Sequence, residues 1–237
     1  MYGNGFWLRM IKKVFFDLDR TLWDFETNSE LVLKELYVDF NLKDYIPSVE
    51  DFLNTYRQKN NALWALYRKG CLDSSVLKQK RFYETFLAYG IDKQELAQNF
   101  GKIYLEKLAL KKQLFPGAIK LLNYLIEKYA LYILTNGFQE VQIKKIVNIG
   151  LDKYFKQIFT SDTIGYQKPQ PAFFEFVLKQ VDEAPEYCIM IGDDLDTDIM
   201  GAKRCGIKGI YFNVNKIPHD ETVDYEVDNL LAIKKIL

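Results

Sequence analysis

The sequence is poor in the residues that many chemistries require. It holds one histidine, His219, between Pro218 and Asp220 in a polar stretch. A Ser-His or Cys-His nucleophile, or a metal centre of several imidazoles, would rest on that residue alone, so those classes are set aside. Cysteine is scarce too. Cys71, Cys188 and Cys205 are too few and too scattered for a disulfide framework or a zinc cluster. They read as packing residues of a protein in a reducing compartment, and a cytoplasmic location is the expectation. Neither charge is in excess, with 32 basic against 32 acidic side chains, so no net field favours a nucleic acid polymer or an acidic membrane. No apolar run approaches the length of a bilayer span. Repeats, low-complexity tracts and long charge blocks are missing as well.

What is present supports a globular fold. A chain of 237 residues, 49% hydrophobic and 15% aromatic, can bury a substantial interior. Residues 1–9, with two glycines and a Trp, read as an irregular leader, and Met10 is an alternative start. The organising stretch runs from Val14 to Trp23, Val-Phe-Phe-Asp-Leu-Asp-Arg-Thr-Leu-Trp. An apolar run that stops at two carboxylates is the pattern of a buried parallel strand delivering charge at its carboxyl end. Side-chain alternation places Asp17 and Asp19 on one side, facing one small volume. Two carboxylates that close imply Mg²⁺, a raised pKa, or both.

Residues 24–112 read as helices and turns only. Thr27 to Ser29 offer caps before an apolar periodicity, Pro47-Ser48 opens the next helix, Asp73-Ser74 a third, and a fourth runs from about Glu95 to Leu108. From Pro116 onward, helices alternate with short apolar runs at 130–134, 157–160, 187–191 and 209–212, the signature of βαβ units and a parallel sheet. The predicted architecture is therefore an α/β core, residues 10–23 and 113–237, with an all-helical insertion at 24–112. An insertion that leaves and returns near one strand end is expected to act as a lid.

Four strand ends, or the loops after them, carry the polar residues of one site: Asp17 with Asp19, Thr135 with Asn136, Lys168 before Pro169, and Asp193, Asp194 and Asp198. Each has a plain structural use as a turn, a cap or a solvated lysine. Their joint order resembles the haloacid dehalogenase-like superfamily. The first motif, Asp-x-Asp-x-Thr, matches residues 17–21; the strand-terminal Thr matches Thr135; the Lys before Pro matches Lys168; and Gly-Asp-x-x-x-x-Asp matches residues 192–198.

The resemblance implies a Rossmann-like core with a helical cap and a Mg²⁺-dependent phosphomonoesterase chemistry. Asp17 would be the nucleophile that forms an aspartyl-phosphate, and Asp19 the acid and base, its proton held tightly by the crowding of Asp17. Mg²⁺ would be held by the carboxylates of Asp17 and Asp193 and the backbone carbonyl of Asp19, with Asp198 behind them and Asp194 or Asp196 as substitutes. Lys168, the Thr135 hydroxyl and the backbone amides of Leu18, Asn136 and Gly137 would surround the transferring phosphoryl group.

Asp19 separates the chain from dehalogenases and from the phosphonate-cleaving branch, which lack the second acid. Arg20 stands where the family usually has Gly, and its side chain reads as pointing to solvent. Residues 19–26 and 60–70 are similar to pyrimidine 5′-nucleotidases of the superfamily, which makes a small phosphate ester the expected partner. Trp23 and Arg68 are then candidates for contact with base and phosphate. A sugar-phosphate phosphatase or phosphoglucomutase-type activity competes on the same residues, and a 2-haloacid dehalogenase or a phospho-receiver ranks below both. Either a monomer or a homodimer is compatible with the composition.

Overall fold

The computed structural model describes residues 11–237; the leader at 1–9 and the alternative start at Met10 fall outside them. The described chain divides into two compact units. One joins the segment ending at Phe25 to Gln113–Leu237, and the other is Glu26–Lys112.

The first unit is built on a six-stranded parallel sheet with the order β3-β2-β1-β4-β5-β6. Its strands are β1 (Lys13–Phe16), β2 (Ala130–Thr135), β3 (Phe155–Thr160), β4 (Cys188–Gly192), β5 (Lys208–Phe212) and β6 (Tyr225–Val227). Strand β1 lies in the middle, paired with β2 on one side and β4 on the other. Val14, Phe15 and Phe16 are each wholly buried, so this strand reads as continuous apolar sequence rather than as alternation. Chain direction across the sheet diverges at β1, and ligands of open α/β sheets bind at the carboxyl end of that position. The helix α7 (Pro171–Val181) covers one face with Phe173, Phe174 and Val177 against Phe15, Leu134 and Met190. Each such fully buried side chain contributes about 1.5–3 kcal/mol. The edge strand β6 has no counterpart in the sequence reading, because three residues with one buried side chain carry too little pattern to detect.

The second unit is helical, as the composition of 24–112 predicts. It contains most of α1 (Phe25–Asp39), then α2 (Val49–Arg68), α3 (Ser74–Leu87) and α4 (Gln94–Ala109). Ser48 caps α2 by accepting from the Asp51 amide at 3.1 Å. Its interior is aromatic: the Tyr56 and Phe82 rings stack at 5.0 Å and Phe82 meets Phe100 at 4.8 Å. Besides α7, the four-residue helix Ser161–Ile164 and short 3₁₀ segments, the first unit carries three further helices. These are α5 (Ala118–Ile126), α6 (Gln139–Asn148) and α8, which begins as a π-helical turn, Leu195–Met200, and continues as Gly201–Arg204. Of the three cysteines, Cys188 is buried in β4 and Cys205 half-buried, but Cys71 is exposed and corrects the expectation that all three serve packing.

Candidate active site

Strand β1 ends at Phe16, one residue before the first carboxylate. From Leu18 the backbone turns, with the amides of Leu22 and Trp23 both donating to the Leu18 carbonyl and the Arg20 amide donating to the Trp23 carbonyl. Alternation therefore does not extend to Asp19, whose carboxylate takes its own hydrogen-bond partners on α6 while staying within electrostatic reach of Asp17. The two carboxylates serve different groups of partners.

Asp17 joins the metal-like cluster. Carboxylate oxygens of Asp17, Asp193 and Asp198 lie within 4.8 Å of one another. Thr21 ties the first two together: its hydroxyl, 3.3 Å from both Asp17 Oδ2 and Asp193 Oδ1, accepts from the Asp193 amide at 3.1 Å. The Lys168 ammonium uses its three protons on Asp17 Oδ1 at 2.8 Å, Asp198 Oδ1 at 2.5 Å and the Leu134 carbonyl at 2.8 Å. Gly192 allows the approach of Asp198, since a Cβ there would lie 2.2 Å from Asp198 Oδ2. Asn136 clamps the backbone of Lys168 through its side chain, donating to the carbonyl and accepting from the amide, both at 2.9 Å. Its side-chain amide thus braces the lysine, and the backbone amide is the group left to the substrate contact expected of Asn136.

Three carboxylates share this volume with one ammonium. Loss of solvent raises Asp17, against the pull of Lys168; it raises Asp193 well above the carboxylate range, with Asp17 and Asp198 adding to the effect; and it pushes Asp198 up to about 7. Burial alone would strip the proton from Lys168, but the charges of Asp17 and Asp198 outweigh it and leave that amine above its ordinary value. A closely spaced oxygen set with surplus negative charge is what a hard divalent cation such as Mg²⁺ fits. Asp194 and Asp196 do not share the position: Asp194 caps α8 by accepting from the Thr197 amide at 2.9 Å, and Asp196 pairs outward with Arg204 at 3.2 Å.

Asp19 sits in a second group. Its Oδ1 accepts from Lys145 at 2.6 Å and its Oδ2 from the Gln142 amide at 2.7 Å, both on α6. Both oxygens of the carboxylate are thus oriented by donors on one helix. The same Gln142 nitrogen reaches Thr135 Oγ1 at 2.8 Å, where the Gly137 amide also donates at 3.0 Å. Burial lowers the Lys145 amine, against the opposing attraction of Asp19. Trp23 is 0% exposed, and the Lys145 ammonium stands 3.9 Å from its ring centroid. The indole face is therefore covered by a cation, which corrects its assignment as a contact for a substrate base. Arg20 has φ 68 and lies 4.6 Å over the Phe25 ring. A left-handed backbone explains why Gly is usual there, and the ring contact corrects the expectation of a side chain pointing to solvent. Arg68 closes α2 in the helical unit.

Lys145 and Gln142 escaped sequence reasoning. Their signal was present, since both share a helix face with the buried Ile146, and a lysine and a glutamine on that stripe have no reason to be there unless something polar awaits them.

Comparison with known proteins agrees with this geometry. The chain is 30% identical over 235 residues to the HAD-hydrolase YfnB of Bacillus subtilis, covering 97% of each chain. A crystal structure of YfnB bound to magnesium superposes with a TM-score of 0.87 at 29% identity, covering 95% of this chain and 98% of that one. Pyrimidine 5′-nucleotidase PynA of Streptococcus pneumoniae is 34% identical over 206 residues, 85% of this chain and 84% of its own. A glyceraldehyde 3-phosphate phosphatase of Pyrococcus furiosus is 29% identical over 246 residues, with 97% and 94% covered. Residues 11–206 match the haloacid dehalogenase-like hydrolase profile, and with β1 central in a parallel sheet and the acidic cluster at its carboxyl end, the chain belongs to that family of hydrolases.

Proposed function

We propose that the protein is a Mg²⁺-dependent phosphomonoesterase that works through an aspartyl-phosphate, with pyrimidine nucleoside monophosphates as its substrates. The observation that carries the reading is the surplus of carboxylate over ammonium at the end of β1, where Asp17, Asp193 and Asp198 cluster and Lys168 pairs with two of them. Asp17, Asp193 and the Asp19 backbone carbonyl would hold the cation, whose contribution is to offset the repulsion between carboxylate and phosphoryl oxygens.

In the first step a carboxylate oxygen of Asp17 forms a bond to phosphorus while the bond from phosphorus to the ester oxygen breaks. The departing oxygen keeps the electron pair and takes a proton from Asp19. In the second, a water oxygen attacks phosphorus, its proton passes to Asp19, and the bond between phosphorus and Asp17 breaks to release phosphate. Lys168 stays protonated beside the nucleophile and draws off charge from the phosphoryl oxygens. Thr135 already accepts from two donors, so its own hydrogen points in a third direction, toward a phosphoryl oxygen.

The nucleotide assignment rests on the resemblance of residues 19–26 and 60–70 and on the similarity to PynA. A small sugar phosphate is the second reading, favoured by the similarity to the glyceraldehyde 3-phosphate phosphatase. A phosphate-release screen with Mg²⁺ separates them: UMP and dTMP are expected to lead, and preference for triose or hexose phosphates overturns the nucleotide reading. Arg68→Ala tests participation of the helical unit, with a raised KM for nucleotides as the expected result.

A further inference from the structure

We infer that Lys145 and Gln142 form a positioning device on α6 that fixes the acid/base carboxyl of Asp19 and the Thr135 hydroxyl in one register, so that leaving-group protonation depends on a helix bearing no catalytic residue of its own. The inference rests on the proposed phosphomonoesterase reading.

The geometry is specific. One amide nitrogen of Gln142 spends both hydrogens, on Asp19 Oδ2 at 2.7 Å and on Thr135 Oγ1 at 2.8 Å. A group of the leaving-group machinery and a group of the phosphoryl cradle are thus tied through a single planar side chain. Lys145 takes the other oxygen of Asp19 at 2.6 Å. An ionised carboxylate has about four acceptor directions. Two are used here, and the side chain of Asp19 retains 21% exposure, so the remaining directions are open to an ester oxygen or a water.

The device is braced from behind. Lys145 and Gln142 are both buried, at 2% and 0% exposure. Trp23 backs the ammonium at 3.9 Å and Phe25 lies 5.9 Å from it. Gly137 is required by the arrangement, since a Cβ at that position would lie 2.1 Å from Gln142 Nε2. A lysine and a glutamine removed from water at full desolvation cost are retained where they orient something.

The test is a leaving-group series, from p-nitrophenyl phosphate to alkyl phosphates, read as kcat/KM with Mg²⁺ for the wild type, Lys145→Met, Lys145→Gln and each in an Asp19→Asn background. A misplaced acid harms esters in proportion to the basicity of the departing oxygen. Lys145→Met is expected to lower kcat/KM for an alkyl phosphate about 100-fold, and for p-nitrophenyl phosphate by less than a tenth of that factor. Lys145→Gln, which keeps a donor and a similar shape, recovers part of the loss and serves as the readout should the Met variant fail to fold. In Asp19→Asn neither change has a further effect, because the group they act through has gone. Equal losses across the series, or losses that add to that of Asp19→Asn, overturn the inference and leave the phosphomonoesterase reading standing. A wild-type protein that releases no phosphate from any ester overturns both.

Discussion

The two flanks of the β1 carboxyl end carry the same residue type to opposite effect. On one, buried Lys168 faces the carboxylates of Asp17 and Asp198, and its amine ends above the ordinary lysine value. On the other, buried Lys145 faces Asp19 and the Trp23 ring, and its amine ends below. Burial pushes both in one direction; Lys168 is hydrogen-bonded to two carboxylates, whereas Lys145 is hydrogen-bonded to one and has the Arg20 guanidinium acting against it. The charge balance differs in the same way. The Lys168 flank gathers three carboxylates around one ammonium, while Lys145 pairs directly with one carboxylate. On the proposed reading a divalent cation would be held on the first and the acid/base oriented on the second.

The strongest way to break this division is to remove the nucleophile. Asp17→Asn is expected to lower phosphate release on the order of 10⁴-fold or more while the fold persists by circular dichroism. Activity within tenfold of the wild type would make Asp17 a mere ligand.

Next in size is the comparison of the two lysines themselves. Lys168→Met leaves buried carboxylates uncompensated and should cost about 3–5 kcal/mol in urea unfolding without Mg²⁺. Lys145→Met strands one carboxylate that retains some water, for about 1–3 kcal/mol. Equal costs would dissolve the distinction between the flanks.

The pH response follows from Asp198, pushed up to about 7 from 3.8. Between those values the folded state binds the proton that the unfolded chain has released, so the stability it confers is complete below about pH 4 and is lost as pH rises through 7. The metal-free protein should lose up to about 4 kcal/mol across that window from this group, with Asp17 and Asp193 acting in the same direction. Millimolar Mg²⁺ should shrink the loss, because a cation takes over from the protons. Thermal unfolding at pH 5 and pH 8 with and without Mg²⁺ measures this, and a pH trend indifferent to Mg²⁺ would remove the cation from the Lys168 flank.

The smallest effect is at the hinge between the flanks. Arg20→Gly relieves a left-handed backbone at the cost of the contact over Phe25, two opposing contributions of about 1 kcal/mol each. Unfolding stability should change by no more than about 1 kcal/mol.

Much of this molecule was legible before any coordinates. Lys13–Phe16 announces a central strand because both its faces are covered, and the four helices of the second unit announce themselves because period and capping are local properties. The polar residues at 17, 135, 168 and 193 are recognisable by their places after apolar runs. Asp19 takes partners of its own because alternation holds only while the strand lasts, and the strand stops at Phe16. Trp23 misleads because an aromatic beside a candidate site serves equally as a wall or as a contact, and only the ammonium across its face shows which. Lys145 and Gln142 go unseen because a polar residue on a helix is placed by default in water, and the partners that draw them inward lie more than a hundred residues away.

The sequence by itself determined the elements, their alternation, the family and the order of the acidic residues, since backbone propensity and apolar period act between near neighbours. Only the tertiary structure decided how the carboxylates divide: Asp17, Asp193 and Asp198 around Lys168, Asp19 under Lys145 and Gln142, Asp194 as a cap. The reason is that charge and desolvation act through space. An aspartate becomes part of a metal-like cluster, half of an ion pair or the cap of a helix according to which distant side chains the packed sheet brings within about 3 Å of it.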